Sequence, residues 1–129
     1  MSYINTDLLL TAPVDLTLLA QAMAPEHEDN CPVSCLQDSY LEGVGHRVVL
    51  EGFGPQGSYD TPEESINVLL DAVEQLPQAL KPLWQACTQK TMDIGFRSDE
   101  FSHSLTYPLC FGTLARMHIL GIDLAITVY

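Results

Sequence analysis

Histidines, cysteines and carboxylates are the chemistry-bearing side chains of this sequence, and their spacing limits what they can do. His27, Cys31 and Cys35 stand as H-x3-C-x3-C, and imidazole nitrogen and thiolate sulfur are ligands that Zn²⁺ accepts. A tetrahedral site needs a fourth ligand, from Asp29, His46 or elsewhere. The paired C-x2-4-C and H-x3-5-H units of structural zinc sites are missing, and C-x-x-x-C is one residue longer than the dithiol redox motif. The stretch therefore reads as a cysteine-bearing loop, and no metal or cofactor is expected. A small metal-dependent or thiol enzyme using His27, Cys31, Cys35 and His46 is the alternative.

His103 shares a strand phase with Phe101 and Leu105, and His118 follows Met117 on a helical pattern. Neither has a Ser or Cys at a recognisable spacing, and Cys110 lies in no nucleophile elbow. Both read as structural histidines. Gly52-Phe53-Gly54-Pro55-Gln56-Gly57 has G-x-G-x-x-G spacing. A dinucleotide site needs a helix to begin inside the glycine run, and here Pro55 intervenes and the helix signal starts only near Pro62. A glycine-rich turn is the better reading, and catalysis is not expected.

Carboxylates remain. The chain has 129 residues, 17 acidic side chains against 5 basic ones and a net charge of −12. So few cations argue against nucleic acid and against an anionic membrane as partners. The expected partner is a basic protein, drawn in by the summed field. The first candidates for contact are Glu26, Glu28, Asp29 and Asp38, followed by Asp93, Asp99, Glu100 and Asp123. Strand phase also places Arg47, Glu51, Asp93, Arg97, Asp123, Thr127 and Tyr129 on the sheet face turned away from the helices.

The elements that carry these residues follow from periodicity. With 47% hydrophobic residues the chain has a globular composition and the length of one domain. Met1–Leu10 shows no secretory leader and no apolar run approaches membrane-spanning length, so a cytoplasmic protein with four reduced cysteines is expected. Strands are predicted over Ile4–Leu10, His46–Phe53 and Ile122–Val128, and a hairpin over Met92–Arg97 and Phe101–Leu105. Helices are predicted over Val14–Met23, over Pro108–Leu120, and from the Thr61-Pro62-Glu63-Glu64 capping box onward, broken by proline near Leu76. Residues 24–45 show no period and read as a long irregular loop.

Leu10-Thr11-Ala12-Pro13-Val14 can be laid over Leu105-Thr106-Tyr107-Pro108-Leu109. Two pseudo-repeated strand–helix units side by side would make one sheet. The expected fold is α+β: a single, mostly antiparallel sheet with helices packed on one face.

The carboxyl-terminal run Leu114-Ala115-Arg116-Met117 through Leu120-Gly121-Ile122-Asp123-Leu124-Ala125-Ile126-Thr127-Val128-Tyr129 resembles the ending of a family of small bacterial α/β domains of unassigned function, which close on L-A-x-x-x-x-L-G-x-x-L-x-I-x-x-Y. Some domains of this type resemble immunity proteins of bacterial toxin systems, which are small, acidic and without catalysis. The resemblance implies an acidic binding domain that neutralises a basic toxin, and it brings no catalytic residues. A homo-oligomeric structural module is a further alternative, for which the sequence reveals no apolar patch; the oligomeric state stays open.

Overall fold

Strand alternation divides the chain into a helix-bearing face and an open face. In the computed structural model, which describes residues 2–26, 28–98 and 104–129, β1 (Ser2–Ala12) turns Thr6, Leu8, Leu10 and Ala12 into the core. Asp7 and Leu9, between them, face the other way. In β3 (Gly45–Gly54), His46, Val48, Leu50 and Gly52 point inward, and in β5 (Gln89–Arg97) Met92 and Ile94 do. With β2 (Val33–Leu41) and β6 (Asp123–Val128) these strands form the order β2-β3-β1-β5-β6. Every pairing in that order is antiparallel except β5 with β6. The two-residue β4 (Gly57–Ser58) pairs with the end of β3.

The α+β expectation is met. α1 (Thr17–Met23) and α2 (Pro62–Glu74) cover the inner face with Leu19 and with Ile66, Leu69, Leu70 and Val73. The hydroxyl of Thr61 accepts the Glu64 amide at 3.3 Å, and Pro62 occupies the first turn, as the capping sequence predicts. After α2, Pro77 breaks the helix, one tight turn follows at Gln78–Leu80, and α3 (Lys81–Ala86) buries Trp84. α4 (Phe111–Leu120) stops at Gly121, whose φ of 71° is the left-handed cap that glycine adopts without strain.

Several boundaries depart from the expectation. The irregular loop at 24–45 contains β2. Its alternation is hidden by a bulge between Cys35 and Gln37 that shifts the phase by one residue. α4 begins three residues after Pro108, because the Glu63 carboxylate of α2 draws in the Cys110 amide at 3.1 Å. Residues 104–110 form no strand, so the second unit of the pseudo-repeat lacks its opening strand. The expected hairpin partner of β5 is likewise not formed at Ser104 and Leu105, and the rest of it lies outside the described residues.

α4 is held on α2 by polar groups. Glu63 also accepts from the hydroxyl of Thr113, which is 2% exposed. The Asn67 oxygen takes Arg116 at 2.6 Å, and Arg116 reaches Asp71 at 2.7 Å and Glu74 at 2.8 Å. Partial burial alone would raise the Glu63 carboxyl, but the hydrogen bonds from Thr113 and Cys110 outweigh it and hold Glu63 below the ordinary glutamate range. Glu63→Ala removes the acceptor of both the Thr113 hydroxyl and the Cys110 amide and leaves Thr113 only its longer contacts with Asn67 and Cys110, so urea unfolding should show a loss of about 1–2 kcal/mol. Unfolding at the wild-type midpoint would contradict this role.

Candidate functional site on the open face of the sheet

Register, rather than proximity in the chain, assembles the site. Asp7 of β1 stands directly opposite Glu51 of β3 on one side and Asp93 of β5 on the other. All three occupy strand positions that alternate with core residues, so they make a row of carboxylates across the middle of the face that none of the described helices covers. Side chains directly opposite have Cβ atoms about 4.5–5.5 Å apart, and like charges so placed are destabilising.

The ends of the row are satisfied and its centre is not. Asn5 Nδ2 donates to Glu51 Oε2 at 2.8 Å, and Thr127 Oγ1 of β6 donates to the Asp93 oxygens at 2.8 and 3.0 Å. Asp7 Oδ1 is shut off from water without a hydrogen-bond partner. Burial, and after it the charges of Glu51 and Asp93, push the Asp7 carboxyl up to about 6. Among the described residues the ion pairs join Arg116 to α2 and His46 to Asp15 and Asp38, and none reaches the row. Gly95, beside Asp93, lets its neighbours close down on the sheet. A Cβ there would lie 2.5 Å from Asn5 Oδ1 and 3.3 Å from the Tyr129 ring.

A carboxylic acid titrating near neutrality between two acceptors has the chemistry of a general acid or base. Its setting does not. Four clefts of 340–540 Å³ among the described residues are lined by other side chains. Among the described residues no three His, Cys, Asp or Glu are placed to hold a metal ion. What the row offers is three carboxylates in register, the central one raised by its neighbours and with one oxygen lacking a donor. No family model, curated protein or solved structure matches the chain. The reading of the site therefore rests on its geometry.

The other candidates fall into two places. Glu26, Glu28, Asp29 and Asp38 line one cleft of about 540 Å³ together with Cys31 and Cys35. Within it Asp38 is engaged: it accepts from His46 Nε2 and, at 3.3 Å, from the Thr17 hydroxyl. The other ring nitrogen of His46 faces Asp15 at 3.5 Å. His46 is thereby held away from a ligand role. The two sulfurs point to different carbonyls, Cys31 to Met23 and Cys35 to Gln37. Desolvation and the Asp38 charge raise the Cys35 thiol, against thiolate chemistry. All four cysteines are free thiols, as expected. Asp123 opens β6 in register with Thr91, on the open face. His27, Asp99, Glu100 and His103 lie outside the described residues.

The expectation that Glu51, Asp93, Thr127 and Tyr129 share the open face is met, and Asp7 is the member that the sequence reading missed. Its alternation with Leu8 and Leu10 carried the signal for its face. Nothing local carried the register that surrounds it with carboxylates.

Proposed function

We propose that the chain is a non-enzymatic protein-binding domain whose open sheet face receives a basic segment of a partner, in the manner of an immunity protein masking a cationic toxin. The observation that supports this most is the Glu51–Asp7–Asp93 row with Asp7 pushed up to about 6. A fold with no use for the row would gain stability by replacing its central residue. Retained, the row stores repulsion that a Lys or Arg from outside relieves, and it does so at the flat, uncovered centre of a sheet, where a protein surface can dock. The exposed loop acids Glu26, Glu28 and Asp29 line clefts with residues of α1 and α2, and add to the overall negative field rather than to the row itself.

The location of binding tests the reading. Amide shifts on titrating the protein with a short lysine- and arginine-rich peptide should concentrate on β1, β3 and β5 around the row. Asp93→Asn with Glu51→Gln should weaken binding at least about tenfold, and neutralising Glu26, Glu28 and Asp29 should weaken it less. Perturbations spread evenly over the acidic surface, or centred on the loop cleft, would sink the assignment. Any natural partner recovered at low salt should be basic and should be lost as ionic strength rises.

A further inference from the structure

The outer edge of β6 has the features of a strand that continues into another sheet. Tyr129 donates to the Phe96 carbonyl at 2.8 Å and accepts from the Ser98 amide at 3.0 Å, so residue 129 turns its backbone groups toward β5. Because the direction alternates along a strand, Leu124, Ile126 and Val128 turn their N–H and C=O groups outward. Among the described residues no strand pairs with that side. The opposite edge of the sheet is blunted by the β2 bulge and flanked by α1, whereas β6 has neither bulge, proline nor lysine in its six residues. Natural edges rarely go without such protection unless they are covered.

The side chains beside that edge are apolar and uncovered. Leu124, Ile126 and Val128 lie in register with the core residues Met92 and Ile94 and with Phe96, on the helix-bearing face, yet they are 43%, 63% and 52% exposed. α4 packs beside α2 on the helix-bearing face, between β5 and β6 in the chain, and leaves these three side chains open. Thr113 and Arg116 mark the side of α4 toward α2, and buried Met117 marks the side toward the sheet. At about 100° per residue, Leu114 and Phe111 come next round the axis, on the side away from α2. They are 41% and 85% exposed.

Charge permits a second copy here. The molecule carries −12, but residues 104–129 hold one aspartate, Asp123, and one arginine, Arg116. Two copies can therefore meet on this face without the repulsion that separates them elsewhere.

We infer that β6 pairs antiparallel with β6 of a second copy about a two-fold axis through Ile126, joining the two sheets into one. This register matches each outward N–H with an outward C=O and sets Leu124 against the partner's Val128. It also keeps the two Asp123 side chains at opposite ends of the seam, farther apart than a Debye length of about 8–10 Å. The axis is normal to the sheet, so Phe111 and Leu114 of both copies lie on the same face of the joined sheet and flank the seam. Taking roughly 150–200 Å² for a fully exposed large apolar residue, these side chains leave on the order of 500 Å² open per copy. The pair then reaches the roughly 1,000 Å² at which specific interfaces begin. The seam leaves the Glu51–Asp7–Asp93 face free, so the inference stands or falls separately from the proposed function.

Sedimentation of the full chain at tens to hundreds of micromolar, with hydrogen exchange on the same samples, tests the dimer. The expected mass is close to twice 14.2 kDa, with slow exchange at the amides of Leu124, Ile126 and Val128. Ile126→Lys, at an exposed position, should keep the wild-type circular dichroism, sediment as a monomer and release those amides. Ile126→Thr, which retains strand propensity, should raise the dissociation constant at least about tenfold. A monomeric mass throughout the range overturns the inference, as it would if the edge were built for a different protein. A dimer in which these three amides exchange as fast as in a monomer also overturns it.

Discussion

Asp7→Asn is expected to make the protein more stable at pH 7, by about 1 kcal/mol, or about 3–5 °C in Tm. The sign follows from the row. Asp7 has its carboxyl raised from an ordinary 3.8 to about 6 by burial and by the charges of Glu51 and Asp93. The native state thus holds the proton more tightly than the unfolded chain does. Its contribution to stability is complete below about 3.8 and is lost as pH rises through about 6. A shift of this size corresponds to a ceiling of about 3 kcal/mol, and water reaching the rest of this partly buried carboxyl and its neighbours screens the charges and reduces it to the smaller figure. Asp15 and Glu63, whose carboxyls are lowered, contribute with the opposite sign. The measurement that isolates Asp7 is therefore the difference between wild type and variant, by urea unfolding at pH 4, 6 and 7. That difference should be smallest at pH 4 and grow toward pH 7. Equal stability at pH 7 would show that the row stores no repulsion. The same substitution should weaken binding of the cationic peptide, a gain in stability at the expense of function.

Where the signals were local, the sequence was enough. The Thr61 cap and its proline start α2 where the pattern predicts, Pro77 ends it, and the alternation of Leu124, Ile126 and Val128 marks β6. β2 escaped because one extra residue between Cys35 and Gln37 reverses the phase of its alternation, and because Asp38 and Tyr40 occupy its inward positions at the sheet edge. For the site the limit is different in kind. The face on which Asp7 lies is written in its neighbours, but its company is set by the pairing of β1 with two distant strands, and a shift of one residue in either register would have dissolved the row. His46 shows the same limit. As a sequence feature it was a spare metal ligand, and in the fold it lies between the carboxylates of Asp15 and Asp38.

The glycine run that mimics a dinucleotide fingerprint offers the second large effect, because the structure gives Gly52 a packing role. Gly52 is an inward position of β3, directly under Ser65 of α2, whose side chain is fully buried. A Cβ on Gly52 would lie 2.2 Å from Ser65 Oγ, 3.3 Å from its Cβ and 3.2 Å from its carbonyl oxygen. Rotating the hydroxyl away answers only the first of these contacts, and the other two belong to the rigid body of the helix. Gly52→Ala must therefore lift α2 off the sheet, and with it the layer of Ile66, Leu69 and Leu70, at an expected loss of about 2–3 kcal/mol. Ser65→Ala removes the hydroxyl and gives up only a long 3.5 Å hydrogen bond to the Gly52 carbonyl. Alone it should cost little, and in the double variant it should restore about 1–2 kcal/mol, a coupling that a double-mutant cycle in urea would measure. Cationic-peptide binding should persist in the folded single variant, because the added methyl points away from the carboxylate row. A Gly52→Ala protein as stable as wild type, or one whose loss is indifferent to Ser65→Ala, would mean that helix and sheet do not meet at this point, and the glycine would again need an explanation from ligand chemistry.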